Sequence, residues 1–254
     1  MSATMMYRFA TEREDHTDLA SGRVLQAVAG EPALPVRLTD EVFQRCLAAL
    51  GTTAPLTLYD PCCGAAYHLT VLGFLHPQRI ARILASEIQP ALVEAARRNL
   101  SLLRPDGLDQ RRAGLERLLA EHGKPSHREA LGSLERLRQR LSAGLAGRGL
   151  TTDVFGADAT DPIAMAQGLG GARVDLVLTD VPYGWHSAWL GGAQDDSATA
   201  PLERLLTALL GVLAPGGVVA IVSDKGQRAT HPAYTRVERF QVGRRRVEIL
   251  KVLG

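Results

Sequence analysis

The chain has 254 residues and is 46% hydrophobic, enough for one large domain with a sizeable core and too apolar for global disorder. A net charge of +2 neither requires nor excludes a nucleic-acid partner, because such binding needs a local basic face rather than a basic total. The three cysteines, Cys46, Cys62 and Cys63, form no CxxC pair and share no ligand-like spacing with the seven histidines, which argues against a disulfide framework or a metal site.

The polar, mixed-charge start lacks the pattern of a signal peptide, and no window approaches about 18 uncharged apolar residues, so a cytoplasmic protein without a membrane span is expected. Residues 1–54 read as an N-terminal extension. Within it, residues 7–36 suggest a short hairpin and turns. Thr39-Asp40 precedes a helical run with Val42, Phe43, Cys46, Leu47 and Leu50 on one stripe.

From residue 55 to 254 the chain alternates strand, turn and helix. Leu56 to Tyr59 is a short apolar run ending in the turn Asp60-Pro61-Cys62-Cys63-Gly64, and Ile80 to Ala85 is the next strand. Pro90 stands near the start of a helix carrying Leu92, Ala96, Leu100 and Leu103 on one face. Residues 104–148 form a helical insertion. A shorter helix is expected over 111–121, and Ser126 with Glu129 has the spacing of a capping box before a leucine stripe at 131, 134, 137, 141 and 145. Thr152 to Phe155 and Val174 to Thr179 are strands. Pro201 opens a helix running through Leu213 until Ala214-Pro215-Gly216-Gly217 breaks it. Val218 to Val222 is a strand, and Arg236 to Leu253 makes two more with a turn at Gly243. Such alternation implies an α/β fold with a mostly parallel sheet covered on both faces.

Ligands of such sheets bind at the carboxyl ends of the strands. The first end carries Asp60 to Ala66, small enough for close backbone approach. The second carries Glu87, suited to a ribose diol. The third carries Gly156-Ala157-Asp158-Ala159, and the fourth Asp180-Val181-Pro182-Tyr183-Gly184-Trp185. Together they describe a nucleoside pocket. An acidic first turn without GxGxxG is a poor neighbour for pyrophosphate and a good one for a cationic sulfonium, which favours S-adenosylmethionine over NAD. Taken singly these signals are weaker: Asp60 suits a turn cap, Glu87 a solvated strand end, and Asp158 competes with Asp153 and Asp161. Cys62 and Cys63 read as small buried fillers, since no base is assigned to them. The run Arg244-Arg245-Arg246 suits either a charged strand edge or a phosphate contact.

Leu58 to Gly64, Ser86-Glu87-Ile88-Gln89-Pro90, Asp180-Val181-Pro182-Tyr183 and Leu213 to Val218 resemble the motifs of class I S-adenosylmethionine-dependent RNA base methyltransferases, the third being similar to the D/N-P-P-Y/F of enzymes that methylate exocyclic amines. The resemblance covers roughly 55–103 and 150–253. It implies a Rossmann-like, seven-stranded fold and a guanine-N2 methyltransferase acting on large-subunit (23S-type) ribosomal RNA, with avilamycin-type antibiotic resistance as the biological role and no obligate protein partner. It places Asp60, Cys62, Gly64, Ala65, Glu87, Ile88, Asp158, Ala159 and Asp180 around the cofactor, and Asp180, Val181, Pro182 and Tyr183 at the target base. Ala66 stands where the family has glycine, and Val181 where it has proline. Adenine-N6 or protein-glutamine methylation is the alternative, because D/N-P-P-Y serves amides too.

Overall fold

The computed structural model describes residues 7–28, 33–182 and 200–253. Seven strands form one sheet: β1 (Leu56–Asp60), β2 (Ile80–Glu87), β3 (Thr151–Gly156), β4 (Val174–Asp180), β5 (Leu213–Asp224), β6 (Tyr234–Val242) and β7 (Arg245–Val252). Their order is β3-β2-β1-β4-β5-β7-β6. The chain starts at the centre, builds outward through β2 and β3, then crosses to the other side of β1. All neighbours are parallel except β7, which is antiparallel to both β5 and β6. The switch point therefore falls between β1 and β4, since the next described helices after them pack on opposite faces of the sheet, and such points are where these sheets bind ligands.

Eight helices accompany the sheet among the described residues: α1 (Thr17–Ala20), α2 (Val36–Leu50), α3 (Tyr67–Leu75), α4 (Pro90–Ser101), α5 (Pro105–His122), α6 (Pro125–Leu145), α7 (Pro162–Gly168) and α8 (Ala200–Leu210). Strand alternation divides the core into two layers. Leu56, Leu58, Leu176, Leu178, Val218 and Ala220 face Phe43 of α2, Leu72 of α3 and Leu134 of α6. Tyr59, Val177, Val219 and Ile221 face Met165 of α7 and Leu205 and Leu209 of α8. This period of two on strands buried on both sides explains their near-continuous apolar runs. The Rossmann-like, mostly parallel seven-stranded sheet expected from the sequence is what the chain forms.

Several local expectations need correction. Residues 7–36 contain the single-turn α1 and the start of α2, with no strand among the residues described there. Ser126 is not a cap: Lys124 occupies that position, Pro125 follows it, and Glu129 instead meets Arg23 at 2.7 Å. The insertion is two helices that pack on each other, and the first is longer than expected. α8 ends at Leu210, because Leu213 already pairs with Val174 as the first residue of β5.

The N-terminal segment is pinned by one carboxylate. Glu41, on α2, accepts from the backbone N–H of Arg8 at 2.5 Å and of Phe9 and Ala10 at 2.8 Å. Arg45 Nε, one turn on, donates to the same carboxylate at 2.6 Å and also pairs with Glu238 of β6. Both Glu41 and Arg45 are buried. Burial alone would raise the Glu41 pKa, but its four donors outweigh that and hold it below the usual glutamate range.

Candidate active site

The loop after β1 is built by its own side chains. Asp60 is fully buried; its Oδ1 accepts from Cys62 N–H at 2.9 Å and folds the turn back on itself. Gly64 takes φ +52°, and its N–H donates to Glu87 Oε2 at 3.0 Å, so the ends of β1 and β2 are tied together. Glu87 Oε1 accepts from Gln89 N–H at 3.0 Å. Burial raises the Glu87 pKa, and each of its oxygens keeps acceptor capacity for a further donor.

Ala66, at the start of α3, has φ 52° and ψ 32° and is fully buried. A left-handed alanine costs about 1–2 kcal/mol, a strain that the glycine expected there from the resemblance would not carry. Ala66→Gly removes this strain but adds unfolded-state entropy of about 0.5–1 kcal/mol and loses a buried methyl. Its stability is therefore expected to stay within about 1 kcal/mol of the parent. Ala66→Val, β-branched in the same conformation, is expected to lose about 2 kcal/mol or more. Urea unfolding of both variants checks the pair.

Asn99 on α4 falls in the segment that carries the resemblance, but the sequence assigned it no role. It is fully buried, and its side chain is a clamp. Oδ1 accepts from Gln26 N–H at 2.8 Å, while Nδ2 donates to the Gln26 carbonyl at 2.9 Å and to the Ala65 carbonyl at 2.8 Å. One amide thus fastens the N-terminal segment to the first loop. Arg111 of the insertion supports the same segment, donating to the carbonyls of Arg23 and Val24 at 2.6 and 3.1 Å.

Between the ends of β1 and β4 lies a hollow lined by Gln26, Leu34, Gly64, His68, Asp180 and Val181, with Cys62 and Ala65 beside them. The structure therefore brings Cys62, Gly64, Ala65, Asp180 and Val181 together as the sequence predicted, with Asp60 buried beneath and Glu87 joined through Gly64. Two features of its wall were not predicted: the N-terminal segment and His68. His68 Nε2 lies 2.9 Å from Asp60 Oδ2 and 3.4 Å from the Leu178 carbonyl. Burial alone would lower the imidazole pKa; the Asp60 carboxylate outweighs that and raises it.

Asp180 ends β4. Burial pushes its carboxyl up to about 7, with Arg245 and His68 pulling it down and Asp60 pushing it up. Its Oδ1 is buried and has no hydrogen-bond partner among the described residues. The Val181 side chain is packed in the core and its N–H donates to the Val222 carbonyl at 3.0 Å; the Pro182 carbonyl accepts from Gln227 Nε2 at 3.1 Å. The backbone leaving β4 is thus fixed on both sides. Tyr183, with Gly184, Trp185, His186 and Trp189, lies outside the described residues.

The third strand end resolves its competing acids. Asp161 Oδ1 accepts from Ile163 and Ala164 N–H and caps α7, a role that the Asp-Pro pair at 161–162 signals. Asp153 is exposed on edge strand β3. Asp158 folds its turn by accepting from Thr160 N–H and Oγ1, both at 2.8 Å, and its charge reaches Cys62. Ile88 is 38% exposed, an uncovered apolar surface next to Glu87. The Cys62 and Cys63 thiols are pushed well above their ordinary value by burial and by the carboxylates of Asp60 and Glu87, so they are neutral and poor nucleophiles.

A sequence profile for the family described as rRNA methyltransferase AviRa matches residues 5–245. A Streptomyces viridochromogenes protein named 23S rRNA (guanine(2535)-N(1))-methyltransferase is 40% identical over 245 residues, covering 96% of this chain and 95% of its own. The solved rRNA methyltransferase aviRa of Streptomyces viridochromogenes superposes with a TM-score of 0.87 at 40% identity, over 96% of each chain. TrmN from Thermus thermophilus shares the fold, with a TM-score of 0.51 at 17% identity over 89% of this chain and 51% of its own.

Proposed function

The chain belongs to the AviRa family of rRNA methyltransferases, and from that premise we propose that it methylates ring N1 of a guanine in large-subunit, 23S-type ribosomal RNA. The cofactor is S-adenosylmethionine, and the site suits it. The carboxylates of Asp60, Glu87 and Asp158 favour a cationic sulfonium, the first loop is small, and Ile88 offers apolar surface for a purine ring. Asp60, Cys62, Gly64, Ala65, Glu87, Ile88, Asp158 and Ala159 would hold the cofactor, with Glu87 on the ribose hydroxyls. When bound, it supplies a methyl group on a sulfonium sulfur that keeps the carbon–sulfur electron pair on leaving.

The choice of N1 departs from the exocyclic N2 that the D/N-P-P-Y resemblance implies. The Streptomyces relative is named for N1, and the chemistry of Asp180 supports the same atom here. Guanine N1 bears a proton and behaves as an imide nitrogen, so it is a nucleophile only once that proton leaves. An exocyclic amine needs no prior deprotonation, only acceptors. The observation carrying the reading is Asp180 itself: a carboxyl group lining the hollow, with a buried oxygen free of partners among the described residues and a pKa pushed up to about 7. General bases work best with a pKa near the operating pH. Asp180 takes the N1 proton and later yields it to water, the freed N1 pair forms the bond to the methyl carbon, and the fixed backbone at 181–182 aligns the base. The same methylation, in the cytoplasm, would carry avilamycin-type resistance.

Nucleoside digestion of large-subunit rRNA, treated with the protein and labelled cofactor, tests this. N1-methylguanosine is the expected product. N2-methylguanosine overturns the position, and label in protein or DNA alone overturns the substrate class.

A further inference from the structure

The basic run at 244–246 does not act as a unit. Arg244 is exposed in the turn between β6 and β7. Arg246 Nη1 donates to the Gln227 carbonyl at 2.7 Å, and Gln227 in turn donates to Pro182, so Arg246 steadies the loop beside β4. Arg245 is different. It is partly buried, its Nε has no hydrogen-bond partner, and it makes no ion pair, among the described residues. Its register places it on the same sheet face as Asp180, two strands across and toward the end of the sheet where the hollow lies. Asp180 pairs with Val222 of β5, and Val222 with Val247 of β7. Arg245 is two residues from Val247, opposite Asp224, and so shares the sheet face of Asp180.

That face therefore offers an acceptor, Asp180, and, two strands across, a long guanidinium side chain whose charge reaches it and whose Nε has donor capacity in hand. Guanine presents the complementary pair along one edge, the N1–H donor beside the O6 acceptor. Adenine presents the reverse, an N1 acceptor beside an amino donor, and would set donor against donor and acceptor against acceptor. We propose that Arg245 is a catalytic and specificity-determining residue, donating to O6 of the target guanine while Asp180 takes the N1 proton. This rests on the N1 reading above. When N1 loses its proton, the charge left behind spreads to O6, where a guanidinium fixed in advance stabilises it. The proton goes to the Asp180 carboxylate, and the N1 pair goes into the new bond to the methyl carbon.

The pairing also sets the pH response. The charged groups acting on Asp180 are Asp60 on β1, His68 on α3 and Arg245 on β7, and Arg245 is the strongest of the influences lowering its pKa. Removing the guanidinium weakens the oxyanion contact and raises the pH at which Asp180 ionises.

The test compares Arg245→Gln and Arg245→Lys with the parent, using unmethylated large-subunit rRNA and labelled S-adenosylmethionine. Arg245→Gln is expected to lower kcat about 10²–10³-fold, with KM for RNA little changed and the acid limb of the pH profile moved to higher pH. Arg245→Lys keeps the charge and should recover part of kcat. A raised KM with reduced salt dependence and normal kcat would make Arg245 a phosphate contact and overturn the proposal. So would equal losses in both variants with a lowered Tm and an unmoved pH profile, which mark a structural role. If the parent yields N2-methylguanosine, the N1 reading falls first and takes this with it. If the parent yields N1-methylguanosine and Arg245→Gln keeps its kcat, this proposal alone falls.

Discussion

Asp180→Asn is expected to lower kcat about 10²–10⁴-fold, the range that a positioned general base contributes, while S-adenosylmethionine affinity stays close to that of the parent. Titration calorimetry with S-adenosylhomocysteine and single-turnover methylation separate the two quantities. In the parent, the rate should rise with pH through about 7, as the Asp180 carboxyl loses its proton. The stability effect runs the other way. A carboxyl whose pKa is higher in the folded than in the unfolded chain destabilises the fold increasingly as pH rises between the two values, fully so above the folded one. With a folded value of about 7 the asparagine variant should be more stable than the parent at pH 8, by up to a few kcal/mol, and should lose that advantage by about pH 4. Equal turnover in the variant would remove Asp180 from the chemistry. An asparagine variant less stable at pH 8 would contradict the burial cost on which the raised pKa depends.

The second large effect is structural and lies away from the hollow. Glu41→Ala strips the partners from three backbone N–H groups and leaves Arg45, which is 5% exposed, with Glu238 as its one acidic partner among the described residues and the Phe240 ring beneath it. Breaking a buried pair by deleting one member typically costs about 3–5 kcal/mol, which for a chain of this size lowers Tm on the order of 10 °C. Because the Glu41 pKa is lowered, its contribution is present above the unfolded value of about 4.3 and is lost as pH falls through the folded one. The gap in Tm between parent and variant should therefore narrow in acid. Differential scanning calorimetry at pH 7 and pH 3.5 reads both. A loss under 1 kcal/mol at neutral pH would mean that the N-terminal segment is not held as described.

The sheet was legible because its strands are short apolar runs closed by acid or glycine, and of the strand ends that the sequence marked the first and fourth line the hollow while the second is tied to it through Gly64. Asp60, Glu87 and Asp180 could be placed for that reason, whereas Asp158 folds its own turn and does not line the hollow. Other elements left no such trace. α3 is buried nearly all round, from His68 to Phe74, so it has no helical stripe to reveal it. His68 is hidden within it, and nothing local predicts its approach to Asp60. The capping-box pattern at Ser126 and Glu129 failed because Pro125 took the first helical position and moved the cap to Lys124. Asn99 and Glu41 work through backbone groups far along the chain, Gln26 lying 73 residues from Asn99 and Arg8 33 residues from Glu41. Contacts between a side chain and a remote main chain carry no residue signature on the main-chain side. The N1-or-N2 choice was illegible for a related reason: both positions call for an acid at the end of β4, so the residue type alone does not separate a base from a simple acceptor.

The Asn99 clamp carries a consequence for how activity is lost. One wall of the hollow belongs to a stretch with no strand among its described residues, attached to the first loop through the Asn99 amide and to the insertion through Arg111 and the ion pairs Arg23–Glu129 and Asp18–Arg136. Such peripheral segments open at lower free energy than the sheet behind them. Warming or limited proteolysis that peels this stretch away would leave most of the tertiary fold standing with its donor cavity missing a side, so inactivation should precede melting.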